Sequence, residues 1–176
     1  MCKFFNDIKN NNSIVYIDTN ILVNPNMPKL YGLLNDYNKK HSGNQLKITI
    51  FQSIVTELLD ISINAPSAET RSRAETILQI IHNDQKKGIN FILSQGDNPS
   101  FFDAAIISST ILNMTKQPVV VITNDKGLQA DLLSFNHLKS VKGNIIKCSR
   151  LTDEGKLHNV TIPNSVKRFD MDCVIN

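Results

Sequence analysis

Several protein classes are excluded by what this chain lacks. Cysteine is scarce: only Cys2, Cys148 and Cys173 occur among 176 residues. The count is odd and no CxxC or Cys/His pairing is present, which argues against both a zinc site and a disulfide framework. No apolar run approaches the roughly 18 residues that a membrane span requires. Residues 1–7 carry no apolar segment of the secretory kind. A reducing, cytoplasmic setting away from membranes is therefore the expectation. The phosphate-loop pattern Gly-x-x-x-x-Gly-Lys-Ser/Thr is missing, so an NTPase is unsupported. A strong charge of one sign is missing too. The net charge is +3 and the pI about 8.7, which permits a polyanionic partner without demanding one. Internal repeats are absent, and low complexity is confined to Asn10, Asn11 and Asn12.

What remains is ordinary globular composition, 41% hydrophobic and 20% charged, at a length suited to one domain with a proper core. Residues 1–13 read as a polar leader of weak structure. Ile14, Val15, Tyr16 and Ile17 then form a short apolar run rich in β-branched residues, the pattern of a strand buried on both faces. Residues 47–51 repeat that pattern, and helical spacing follows through Ile54, Val55, Leu58 and Leu59. A break at 64–67 precedes a helix whose apolar face is Ala74, Ile77, Leu78 and Ile81, closed by Lys86, Lys87 and Gly88. Residues 89–93 suggest a third strand, 96–100 a loop, and Phe102, Ala105, Ile106, Ser109 and Leu112 another helix. Pro118 opens the clearest strand, Pro118 to Thr123, at the first residue, where proline is tolerated. A short helix through Leu128, Leu132 and Leu133 follows, and Asn144 to Lys147 suggest a further strand. Strand and helix alternate, so the expected class is α/β: a central, mainly parallel sheet flanked by helices. The expected organisation is a leader at 1–13, a domain at 14–150 and an extension of unknown structure at 151–176.

The acids fall at telling places. Asp18 and Asp125 each lie just past the end of a strand, where open α/β sheets bind ligands. Glu57 lies in the helix after the second strand, and Asp103 in the first turn of a later helix. Carboxylates gathered without a counter-charge repel one another, and a hard divalent cation such as Mg²⁺ or Mn²⁺ resolves this with oxygen ligands. Such an ion beside a phosphodiester supports hydrolysis without a covalent nucleophile. Each acid also has a structural reading. Ser100-x-x-Asp103 matches a capping box, Asp18 and Asp125 can cap helices, and Glu57 can be a solvated helix residue. The four histidines show no ligand spacing and read as surface residues.

Four segments resemble the motifs of PIN-domain ribonucleases, in the family's order and across residues 14 to 135. They are Tyr16-Ile17-Asp18-Thr19-Asn20-Ile21-Leu22-Val23, Val55-Thr56-Glu57-Leu58, Phe102-Asp103-Ala104-Ala105-Ile106 and Val120-Val121-Ile122-Thr123-Asn124-Asp125-Lys126-Gly127-Leu128. The opening also resembles PIN domains joined to PhoH-type ATPases and those of RNA-decay endonucleases. The resemblance implies a three-layer α/β/α fold and endonucleolytic hydrolysis of RNA. It implies that Asp18, Glu57, Asp103 and Asp125 are the catalytic and metal-ligating residues for Mg²⁺ or Mn²⁺. It also implies that Asn20, Thr123 and Asn124 support them by hydrogen bonds. Arg71, Arg73, Lys126 and Lys139 are candidates for RNA phosphate contacts, with Lys116, Lys142, Lys147 and Arg150 as further cations. An antitoxin or other protein partner and a homo-oligomer are also compatible with the resemblance. Two readings compete. A haloacid-dehalogenase-like phosphatase needs a second aspartate two residues after the first, where Asn20 stands. A non-catalytic PIN-fold module would bind RNA or protein without cutting.

Overall fold

The computed structural model describes residues 2–43, 45–94, 102–137 and 144–161. Its centre is a six-stranded sheet in the order β3-β2-β1-β4-β5-β6, formed by β1 (Ile14–Ile17), β2 (Ile48–Ile50), β3 (Phe91–Leu93), β4 (Val119–Ile122), β5 (Ile146–Leu151) and β6 (Leu157–Val160). The first five strands run parallel and β6 pairs antiparallel with β5. Every residue of β4 is buried, as its unbroken Val-Val-Val-Ile run requires of a central parallel strand. β1 and β4 are neighbours in the register Ile14↔Val119 through Ile17↔Ile122.

Helices cover both faces. Phe4 and Ile8 of α1 (Cys2–Asn10) line a small cleft with Val120. From the other side, Asn113 of α6 (Phe102–Met114) donates to the Tyr16 hydroxyl at 2.9 Å. Side chains alternate along a strand, so Tyr16 and its neighbour Val15, the partner of Val120, point to opposite faces. The three-layer α/β expectation therefore holds. α3 (Met27–Lys40) packs its buried stripe of Met27, Leu30, Leu34 and Tyr37 into the core. α4 (Gln52–Asn64) and the long α5 (Ala68–Lys87) follow β2 and pack against each other. α5 ends as its sequence dictates: Gly88 takes the left-handed conformation, φ 64°, after Lys86 and Lys87. The short α2 (Thr19–Leu22) and α7 (Lys126–Ser134) begin directly after β1 and β4.

Three expectations are corrected. Residues 1–13 are not weakly structured: α1 buries Phe5 and Ile8, and Phe5 packs on Tyr37 with ring centroids 5.3 Å apart. The polar asparagines face outward and hide an amphipathic spacing that has meaning only once Tyr37 supplies the partner surface. The boundary expected between 150 and 151 falls inside β5, which Leu151 ends, and β6 continues the same sheet through Val160. Phe51 is not the end of a strand but the residue preceding α4, fully buried against Tyr16 with centroids 4.8 Å apart. The loop expected at 96–100 lies outside the described residues.

Candidate active site at the carboxyl end of the sheet

Asp18 follows β1 and stands at the start of α2; Thr123 follows β4. Because β1 and β4 are paired in register, the two residues meet. The Thr123 hydroxyl donates to Asp18 Oδ2 at 2.6 Å, and Asn20 Nδ2 donates to the same oxygen at 2.5 Å. Asn20 Nδ2 also reaches Thr123 Oγ1 at 3.2 Å, and Asn20 Oδ1 accepts from the Asn124 amide at 3.0 Å. Asp18 is only 9% exposed and Thr123 is fully buried. An oxygen buried this deeply needs donors of this kind.

Burial pushes the Asp18 carboxyl above its ordinary pKa. Hydrogen bonds from the Thr123 hydroxyl and the Thr19 amide pull it back, while the charges of Asp103 and Glu57 push it further up. Glu57 of α4 and Asp103 of α6 are thus each within electrostatic range of Asp18. Glu57 is half-buried and its Oε2 accepts from the Thr19 hydroxyl. Asp103 is exposed in the first turn of α6, and its expected capping partner Ser100 lies outside the described residues. Asp125 is exposed; its amide donates to Thr123 Oγ1 at 3.0 Å, and its Oδ1 caps α7 by accepting from the Leu128 amide at 3.0 Å. Gly127 keeps that cap close, since a Cβ there would lie 3.2 Å from Asp125 Oδ1. Among the described residues, no three His, Cys, Asp or Glu side chains stand close enough to hold one metal ion. The two ion pairs among those residues, Arg73–Glu69 and Lys156–Glu154, leave the site acids without a cation.

The remaining candidates separate. Lys126 opens α7 beside Asp125 and is exposed. Arg71 is turned to local carbonyls, those of Ala65 at 2.5 Å and Pro66 at 3.4 Å, and Arg73 pairs with Glu69 at 2.6 Å. Lys139 and Lys142 lie outside the described residues, as does Asp97. Asp131 is on the exposed surface of α7. His41 is not a plain surface residue: it is half-buried, stacked on Tyr37 at 4.3 Å, with Nδ1 2.8 Å from the Tyr37 carbonyl.

Two features escaped the sequence reading. Asn124 ties the site to β5, donating from Nδ2 to the Leu151 carbonyl at 3.2 Å and accepting from the Leu151 amide at Oδ1 at 2.9 Å. Gln129 donates to the Thr123 carbonyl at 2.6 Å. Asn124 stood in a motif, but its partner could not be read there. Gln129 carried no signal beyond being a polar residue beside the apolar face of a short helix.

Strand order and helical layers define a PIN-like α/β fold. Among solved structures the chain is similar to the PIN domain endonuclease Utp24, over 82% of this chain and 89% of that one, with 15% identity and a TM-score of 0.51. A likeness at that identity is one of fold. No protein-family profile matches the chain, and no curated protein matches it at a significant level. Among the described residues, no helix is long and apolar enough to cross a membrane.

Proposed function

We propose that the protein is a divalent-metal-dependent endoribonuclease that cuts RNA at the carboxyl end of its parallel strands. One observation carries the reading: Asp18 is buried past the end of β1, Glu57 is held on its neighbour Thr19, and the charges of Asp103 and Glu57 oppose its ionisation, with no cation paired to any of the three among the described residues. Like charges held together in a partly desolvated place call for a cation. The PIN-like fold and the similarity to a PIN domain endonuclease support the same class.

The residues present fit Mg²⁺ or Mn²⁺. Mg²⁺ keeps several waters and takes one or two carboxylates together with substrate phosphates, so a closed cage of three or four protein ligands is not required. Asp18 would hold the ion, with Glu57, Asp103 and Asp125 reaching it directly or through its waters. When bound, such an ion lowers the pKa of a water and offsets the charge that builds on the scissile phosphate. The chain's own residues do the rest. Thr123 and Asn20 fix Asp18 Oδ2 and so orient the carboxylate for ligation. Lys126, exposed next to Asp125, would contact a backbone phosphate, giving affinity without sequence choice. Asn20 acts as a donor to Asp18, which is not the acid–base task that a phosphatase would assign to that position.

A non-catalytic RNA-binding module gains from the spacing of the acids, none of which forms a group of three at metal-holding distance among the described residues. A cleavage assay on single-stranded RNA with Mn²⁺ separates the readings. Cleavage that stops with EDTA and in Asp18→Asn is the expected result. RNA retention without cleavage supports the module, and cleavage that persists in Asp18→Asn removes the proposed site.

A further inference from the structure

We infer that Gln129 is a positioning residue of this site, holding the Thr123–Asn124 peptide in the one orientation that delivers the Thr123 hydroxyl and Asn20 to Asp18. The inference rests on the nuclease reading above and names a residue outside all four motifs.

The reason begins with the end of β4. The Thr123 amide still bonds the Ser149 carbonyl of β5 at 2.9 Å. One step further the ladder stops, because the Leu151 amide is taken by Asn124 Oδ1 at 2.9 Å. The buried Thr123 carbonyl therefore needs another donor, and Gln129 Nε2 supplies it at 2.6 Å. Gln129 is 7% exposed, and its own amide is bonded to the Asp125 carbonyl at 3.0 Å, in the first turn of α7.

The peptide between Thr123 and Asn124 is thereby pinned at both ends: Gln129 holds its carbonyl and Asn20 Oδ1 holds its N–H at 3.0 Å. What depends on that plane is the hydroxyl. A threonine hydroxyl has one proton and two lone pairs. Here the proton goes to Asp18 Oδ2 at 2.6 Å, and the lone pairs accept from Asn20 Nδ2 at 3.2 Å and the Asp125 amide at 3.0 Å. All three valences are used, so the hydroxyl has no spare direction. With the carbonyl left unpartnered, the peptide would turn toward another donor, and the bonds to Asn20, Asp125 and Asp18 would loosen together. Gln129 would touch neither cation nor RNA; it would act through Thr123.

The test uses the full chain carrying Gln129→Met, which keeps length and volume but has no donor. Mn²⁺ affinity of the RNA-free protein is measured by titration calorimetry, and kcat and KM are measured on single-stranded RNA. Expected are about 10-fold weaker Mn²⁺ binding and a lower kcat at unchanged KM. Thr123→Val is expected to show the same loss, and the double variant to be no worse than either single one. Wild-type Mn²⁺ affinity in Gln129→Met, or losses that add in the double variant, would overturn the positioning role while leaving the nuclease reading intact. A wild-type protein that binds no Mn²⁺ overturns both. Should Gln129→Met not fold, Gln129→Asn, one methylene shorter, is judged by the same measurements.

Discussion

Two carboxylates are buried at opposite ends of the parallel strands, and their surroundings are unlike. Asp18 lies past the carboxyl end of β1; Asp84, 2% exposed, lies in the last turns of α5, beside the start of β3. Burial raises the pKa of both. Asp84, however, has a donor on one oxygen and a cation nearby, although its buried Oδ2 has no hydrogen-bond partner among the described residues. Tyr31 donates to its Oδ1 at 2.8 Å, Asn90 donates to the Tyr31 hydroxyl at 3.2 Å, and the Lys87 charge favours its ionised form. Asn90, with φ 29°, extends the network to Asn35 and Asn38, and Asn38 pairs through its side chain with the backbone of Leu46 ahead of β2. This cluster clamps α3 and α5 to the beginnings of two strands. Asp18 has donors as well, but its charged company is acidic. A buried carboxylate alone therefore does not mark a site. Like-charged company does, because it leaves an electrostatic demand that the fold itself does not meet.

The sharpest way to break the comparison is to neutralise each acid in turn. Asp18→Asn is expected to lower RNA cleavage by more than about 100-fold, while Asp84→Asn keeps wild-type cleavage under the same Mn²⁺ conditions. Equal losses would erase the distinction between the two clusters. Thr123→Val removes the hydroxyl that orients Asp18 and is expected to cost about 10- to 100-fold in metal affinity or activity, read by Mn²⁺ titration beside the cleavage rate. Asn124→Ala strips both bonds from the buried Leu151 backbone and is expected to destabilise the fold by about 1–3 kcal/mol, measured as a shift of the urea midpoint; an unchanged midpoint would mean that the clasp is idle.

The smallest effect concerns pH. The folded pKa of Asp84 is raised, so between the ordinary carboxylate value and the higher folded value the native state holds a proton that the unfolded chain has released. Its contribution to stability is therefore greatest below that window and declines as pH rises through it. Asp84→Asn should flatten this part of the pH dependence, checked by urea denaturation at several pH values. A profile identical to wild type would show that Asp84 titrates normally.

Much of the architecture was written in local pattern. Four consecutive apolar residues marked β1 and β4, the spacing Ala74, Ile77, Ile81 marked α5, and Gly88 after two lysines marked its end. The misses have two causes. α3 has a regular stripe, Met27, Leu30, Leu34 and Tyr37, but Pro28 and Gly32 interrupt it in sequence and obscure the helix. α1 and β6 are short, and each takes its stability from a partner element: Tyr37 of α3 for α1, and β5, across the turn at 152–156, for β6. Propensity is weak over nine or four residues, so tertiary contact decides.

By itself the sequence determined the alternation of strands and helices and put acids and hydroxyls just past strand ends, because both follow from periodicities of a few residues. Which of those ends became neighbours was decided only in three dimensions. Pairing β1 with β4 sets Thr123 on Asp18 across 105 positions of chain, and the turn of α7 brings Gln129 beneath the same peptide. Strand pairing and side-chain hydrogen bonds of that range depend on the partner's position, which no local pattern encodes.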